Sequence, residues 1–233
     1  MSFSLKRLGF FRVTKSRAVK TLEDASQMWC SKFPELSELL TVLGYAYTEE
    51  KNRIFNLIVK RMDELNGQNM MHGLKSTMIL MFLVSLKQPQ ALQIAENFKN
   101  SLVRNSQTVK VVNKERHISK YYLVVVKHLV RMISDPVYHD SVEYLVKKDI
   151  VRCYEGLDLV SSAQKGNVFF PRCRIRPKCS YWVLEPSPKI MNKMMEISKE
   201  NQLKSDSATV SVSKNDQAID EDNESEEFII EFD

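Results

Sequence analysis

Along much of the chain, apolar residues return at spacings of three and four, the period of a helix that buries one face. One such stripe is Ile54, Leu57, Ile58, Met62 and Leu65. Thr48 precedes it as an N-cap, Glu49 and Glu50 stand in its first turn, where carboxylates suit the positive end of the helix dipole, and Gly67 closes it. Leu92, Ala95, Phe98 and Leu102 form a second stripe. Tyr121, Val125, Leu129 and Met132 form a third within 118–134. From Met70 to Lys87 nearly every face is apolar, which predicts a central helix that Pro89 ends, with Met78, Leu80, Met81 and Leu83 in the core. Further helices are predicted over 20–31, 35–46 and 137–154. The pattern predicts an all-α bundle or short superhelix of about seven helices.

The period breaks after residue 155. Residues 166–184, NVFFPRCRIRPKCSYWVLE, place Phe169, Phe170, Tyr181 and Trp182 beside Pro171 and Pro177, and are expected to run extended against the bundle. A helix over 186–203 follows, with Pro188 near its first turn. From Ser205 the residues turn to Ser, Asp, Asn and Glu, which bury too little apolar surface to fold alone. The expected organisation is a helical domain over 1–155, an irregular extension with a helix over 156–204, and a disordered acidic tail over 205–233.

Charge sharpens that division. From Asn201 onward two basic residues face ten acidic ones, a balance of −8, so the overall +5 leaves +13 on residues 1–200. Such a body attracts phosphate-bearing surfaces, either nucleic acid or an anionic membrane. The longest apolar run, Met78–Leu86, falls well short of the about 20 residues a membrane-crossing helix needs, so membrane contact would be peripheral. MSFSLKRLGFF lacks the apolar core of a cleavable signal, and Cys30, Cys153, Cys173 and Cys179 are read as thiols of a reducing cytoplasm.

Catalytic chemistry finds little support in the sequence. No two glycines stand close enough to build a phosphate-cradling loop. Cys153, Cys173 and Cys179 with His117, His128 and His139 offer zinc-binding side chains, but CRIRPKC separates its cysteines too widely and no matched second pair follows. The chain is therefore expected to be no enzyme and to hold no cofactor or metal.

The first twenty residues are more informative. Lys6, Arg7, Arg12, Lys15, Arg17 and Lys20 all precede the first acid, Glu23, and alternate with Phe3, Leu5, Leu8, Phe10 and Phe11. A solvated terminus, a nucleic-acid arm and an amphipathic segment that orders on a membrane all fit this composition. On the last reading Lys6, Arg7 and Arg12 meet lipid phosphates while Phe10 and Phe11 enter the headgroup boundary.

Residues 58–84, IVKRMDELNGQNMMHGLKSTMILMFLV, resemble the turn and central helix of the epsin N-terminal homology (ENTH) domain, and more distantly its ANTH cousin. Gly67, Asn69, His72 and Lys75 keep the spacing of that family's Gly-x-Asn-x-x-His-x-x-Lys signature. VKTLEDASQMWCSKFPELSELLTVLGYAY is similar to its two opening helices, and NKERHISKYYLVVVKHLVRMISD to a later turn and long helix, so the resemblance covers roughly residues 10–145. It implies a right-handed superhelix of about seven to eight helices that binds phosphoinositides as a vesicle-coat adaptor. Matched by position, Lys20, Arg61, His72 and Lys75 are its lipid-headgroup contacts. Physically, His72 and Lys75 would lie one turn apart at a helix N-terminus, a natural site for an anion. A surface histidine and a snorkelling lysine fit the same spacing.

The chain ends SEEFIIEFD, four large apolar residues in an otherwise polar tail. Chance, a strand that folds back, and a docking motif each account for them. Ile229, Ile230, Glu231, Phe232 and Asp233 resemble the clathrin box. The expected protein is thus a cytoplasmic, peripheral adaptor that binds phosphoinositide-containing membrane through its body and clathrin or a coat adaptor through its tail, with no nucleic acid as partner. The alternative is a helical module that binds nucleic acid or protein without lipid.

Overall fold

The computed structural model describes residues 16–26, 33–63, 70–112, 116–173 and 186–212, with side chains at 70, 106–120 and 205–212 left undescribed. Among these residues there are nine α-helices and no strand. They are α1 (Arg17–Ala25), α2 (Leu36–Tyr45), α3 (Lys51–Asp63), α4 (Met70–Ser85), α5 (Pro89–Val112), α6 (Arg116–Ser134), α7 (Pro136–Cys153), α8 (Leu159–Gln164) and α9 (Pro188–Val212). The chain divides into two units, Met1–Met191 and Asn192–Asp233, and most of α9 belongs to the second. No described helix is long and apolar enough to cross a membrane.

The all-helical class expected from the hydrophobic period is what forms. α4 packs against α2, α3, α5, α6 and α7, and this explains why its sequence has no polar face. Met78, Leu80, Met81 and Leu83 are all buried, as expected. Around them lie Leu39, Leu40 and Leu43 of α2, Ile54, Phe55, Ile58 and Met62 of α3, and Val125 and Leu129 of α6.

Several boundaries differ from expectation for local reasons. Glu49 and Glu50 precede α3 instead of filling its first turn, because the Thr48 hydroxyl accepts from the Glu50 amide at 3.3 Å and holds a turn there. Pro89 opens α5 instead of merely ending α4, since proline at the first helical position forgoes only an amide with no helical partner. Gln88 caps that start, its Oε1 accepting from the Ala91 amide at 2.7 Å while its Nε2 donates to the Ala46 carbonyl at 3.1 Å. α4 itself ends by a left-handed turn at Lys87 (φ 55°), where the Lys87 amide donates to Val84 and the Gln88 amide to Leu83. Tyr121 lies outside the core, 45% exposed, and Tyr122 takes the buried position beside Val125 and Leu129.

The segment after α7 lies against the helical body. α8 packs against α2 and α7, and residues 167–173 follow it back along the body as an extended strap. Gly166 supplies the left-handed turn (φ 83°) that ends α8, with its amide donating to Ala163 and that of Asn167 to Ser162. The Tyr154 hydroxyl donates to the Pro171 carbonyl at 3.0 Å, and the Cys173 thiol to the Cys153 carbonyl at 3.1 Å. Helix α9 continues through Val212 and takes in the first eight residues, 205–212, of the expected disordered tail, because extending a formed helix is far easier than nucleating one.

Candidate functional site

Helix α1 is capped by Ser16, whose hydroxyl accepts from the Val19 amide at 3.3 Å, and it buries Ala18, Leu22 and Ala25. The opposite side therefore carries Arg17 and Lys20, both exposed. The last turn of α3 carries Lys60 and Arg61. Arg61 is half-buried, and its Nη1 donates across to the Leu22 carbonyl of α1 at 3.5 Å. This contact holds the ends of α1 and α3 together, so two of the expected headgroup residues, Lys20 and Arg61, belong to adjoining helices.

His72 and Lys75 part company. His72 stands half-buried in the first turn of α4, while Lys75 is only 1% exposed and counts among the largest fully buried side chains. An exposed Lys75 at the lipid surface is therefore corrected. The one-turn spacing does set both residues on one helix face, but helices cover α4 on all sides after its first turn, and Leu74, Ser76 and Thr77 are equally buried. Lys75 is not without an interaction partner there. What remains reachable by an anion is Lys20, with Arg61 and His72 partly so.

The expected membrane-associating residues Lys6, Arg7, Phe10, Phe11 and Arg12 lie outside the described residues, as do Ile229, Ile230, Glu231, Phe232 and Asp233. Gly67 and Asn69 of the signature do so as well.

Of the candidate metal ligands, the His117 side chain and Cys179 lie outside what the structure describes, and His128 and His139 are engaged otherwise. His128 Nδ1 pairs with the Tyr138 hydroxyl at 2.7 Å, and His139 Nε2 with the Val84 carbonyl at 2.7 Å. Burial is the main cause that lowers the His139 pKa, with Lys87 adding to it. The Cys153 thiol is pushed up to about 11, first by burial and then by Asp149 and Cys173, the reverse of what activates a cysteine nucleophile. Among the described residues no group of three His, Cys, Asp or Glu side chains is placed to hold a metal.

A second surface went unassigned in the sequence. Between α1, α2 and the strap runs an open groove of about 480 Å³, lined by Arg17, Thr21, Glu38, Thr41, Phe169 and Arg172 among others. The Arg17 guanidinium lies over the Phe169 ring, 4.6 Å from its centroid. Glu38 forms part of the groove wall, its carboxylate accepting from the Glu35 amide at 2.7 Å and its pKa raised chiefly by burial. The crowding of aromatic and basic residues in NVFFPRCRIRPK was the sequence signal for this surface, but only the packing of α8 brings it to α1. Comparison with protein-family models, with curated proteins and with solved structures gave no match.

Proposed function

We propose that this protein is a non-enzymatic peripheral adaptor that binds phosphoinositide-containing membrane through its helical body and a clathrin-type coat through its tail. The observation that carries the reading is the Arg61 contact to the Leu22 carbonyl, which sets a basic helix end beside the exposed Lys20 of α1. His72 stands in the first turn of α4, at the positive end of a helix, where an anion is favoured. A body excess of +13 raises the local concentration of any anionic surface. The packing of successive helices, each on the next from α1 to α8, is compatible with the right-handed superhelical course that the ENTH resemblance implies. In this reading Lys20, Arg61 and His72 meet the headgroup, and Lys75 lies buried within the helix that presents His72.

The deciding experiment is co-sedimentation of the full chain with phosphatidylcholine vesicles with and without phosphoinositide, beside a nucleic-acid mobility shift at matched salt. Binding is expected to require phosphoinositide. Lys20→Glu is expected to weaken it by about fivefold or more, each near-surface basic group contributing on the order of 1 kcal/mol. Unchanged binding of the Lys20 variant would remove α1 from the site. A mobility shift with no vesicle binding would establish the nucleic-acid alternative instead.

A further inference from the structure

The strap alternates as an extended segment does: Val168 and Phe170 pack against the core, and Phe169 between them is 64% exposed. Its backbone is fixed on both sides of that ring. The Asn167 side chain accepts from the Phe169 amide at 3.0 Å, the Tyr154 hydroxyl holds the Pro171 carbonyl, and the Asn167 carbonyl sits so close to Gly44 that a Cβ there would lie 1.9 Å away. The phenylalanine is therefore held out by a scaffold pinned at three points. Arg17 lies on its ring, and the Arg172 side chain, 89% exposed, makes a loose 3.9 Å contact with Glu35. Residues 165–178, KGNVFFPRCRIRPK, carry five basic residues and no acidic one.

We propose that Phe169, with Arg17 and Arg172 flanking it, is a second membrane-contact point, in which the ring enters the headgroup boundary of an anionic bilayer and the two guanidinia bind its phosphates. An exposed aromatic between cations is the composition that favours the interface between hydrocarbon and water. Charge complementarity selects an anionic surface in spite of Glu35 and Glu38, because Glu38 is half-buried on the groove wall and Glu35 faces Arg172. A lipid surface is favoured over single-stranded nucleic acid because Arg17 already covers a face of the ring that base stacking would use, whereas insertion into a headgroup layer keeps the pair together. The proposal rests on the reading of the body as a membrane-binding module and adds to it a contact away from Arg61 and His72.

The test uses the full chain as wild type, Phe169→Ser and Phe169→Trp, with vesicles of phosphatidylcholine alone, with added phosphatidylserine, and with phosphoinositide as well. Thermal unfolding of both variants should match wild type, since the ring is exposed. Phe169→Ser is expected to lower affinity for anionic vesicles about tenfold. Phe169→Trp should retain binding, and the emission it adds over wild type should be quenched by lipids brominated in the acyl chain. If wild type binds anionic vesicles while Phe169→Ser binds equally and the added emission is unquenched, the strap contact is overturned and the phosphoinositide reading survives. Failure of wild type to bind any vesicle overturns both. Loss of single-stranded nucleic-acid binding in Phe169→Ser, with vesicle binding unaltered, also overturns the strap contact.

Discussion

Lys75 shows how one residue can satisfy a family signature while its surroundings change what it does. Its spacing from His72 suits an anion site, yet it lies at 1% exposure on the most enclosed helix of the fold. Lys75→Glu is therefore expected to destabilise the body by about 3 kcal/mol or more, because a reversed charge in a low-dielectric interior loses its partners and cannot regain water. The denaturant midpoint measures this. A variant with an unaltered midpoint and weaker vesicle binding would return Lys75 to the surface. His139 offers a second test at this scale. Its neutral ring bonds the Val84 carbonyl, with Lys87, Asp140 and Glu143 as its charged neighbours, and its folded pKa lies below the ordinary 6.5. The unfolded chain then binds the proton more readily, so the stability this group contributes is present above about pH 6.5 and is lost as pH falls through the lower folded value. Unfolding midpoints between pH 7.5 and roughly 5 should fall for wild type and fall less for His139→Gln, whose amide can still donate to Val84. Parallel curves for the two proteins would exclude His139 as the group responsible.

At the scale of elements, the fold depends on close approaches that helix patterning alone does not encode. Gly44 sits in a leucine-rich stretch of α2 where any apolar residue would suit the period, but the strap carbonyl of Asn167 occupies the space a side chain would need. Gly44→Ala should cost about 1 to 3 kcal/mol through the shift it forces between α2 and the strap, despite alanine's better helix propensity. Thermal unfolding of the variant reads this directly, and a raised midpoint would mean that the strap is not held against α2. Helix ends follow the same logic. α4 and α8 both stop in left-handed turns that return two amides to the preceding turn, one using Lys87 and the other Gly166. At Lys87 the conformation is strained for a residue with a side chain, and ion pairs to Asp140 at 2.5 Å and Glu143 at 3.0 Å tie that turn to α7.

For the whole molecule, the opposed charges of body and tail are the property most open to test. Under the proposed reading the body holds the membrane and the acidic tail carries a weak motif whose reach raises its effective concentration at a coat. A peptide of residues 224–233 is expected to bind the clathrin terminal domain with a Kd on the order of 100 μM, and replacing Ile230 and Phe232 with Ala should abolish this binding. No binding by the wild-type peptide at high micromolar concentration would remove the coat-linking half of the proposal. Phosphoinositide binding would still stand or fall on the Lys20 variant.

The three-and-four spacing of apolar residues was enough to establish the all-helical class, and the loss of that one-sided pattern identified the central helix, because the covering of α4 by five neighbours requires a sequence apolar on nearly every side. The positions of α3 and α6 followed from apolar stripes that these helices turn toward the core. Local chemistry left the fine boundaries undecided. Proline can end one helix or begin the next, and only the cap from Gln88 shows that Pro89 begins α5. The short α8 carries too few residues to display a period, and its place depends on α2 and α7. Exposure was likewise a tertiary decision. Nothing in the order of residues distinguishes a cation at a helix mouth from one inside a bundle, and the packing of α4 sent Lys75 inward while Lys20 stayed in solvent. The meeting of Arg17 with Phe169 was equally out of reach, because residues so far apart in the chain are brought together only when α8 folds the strap back past Gly44.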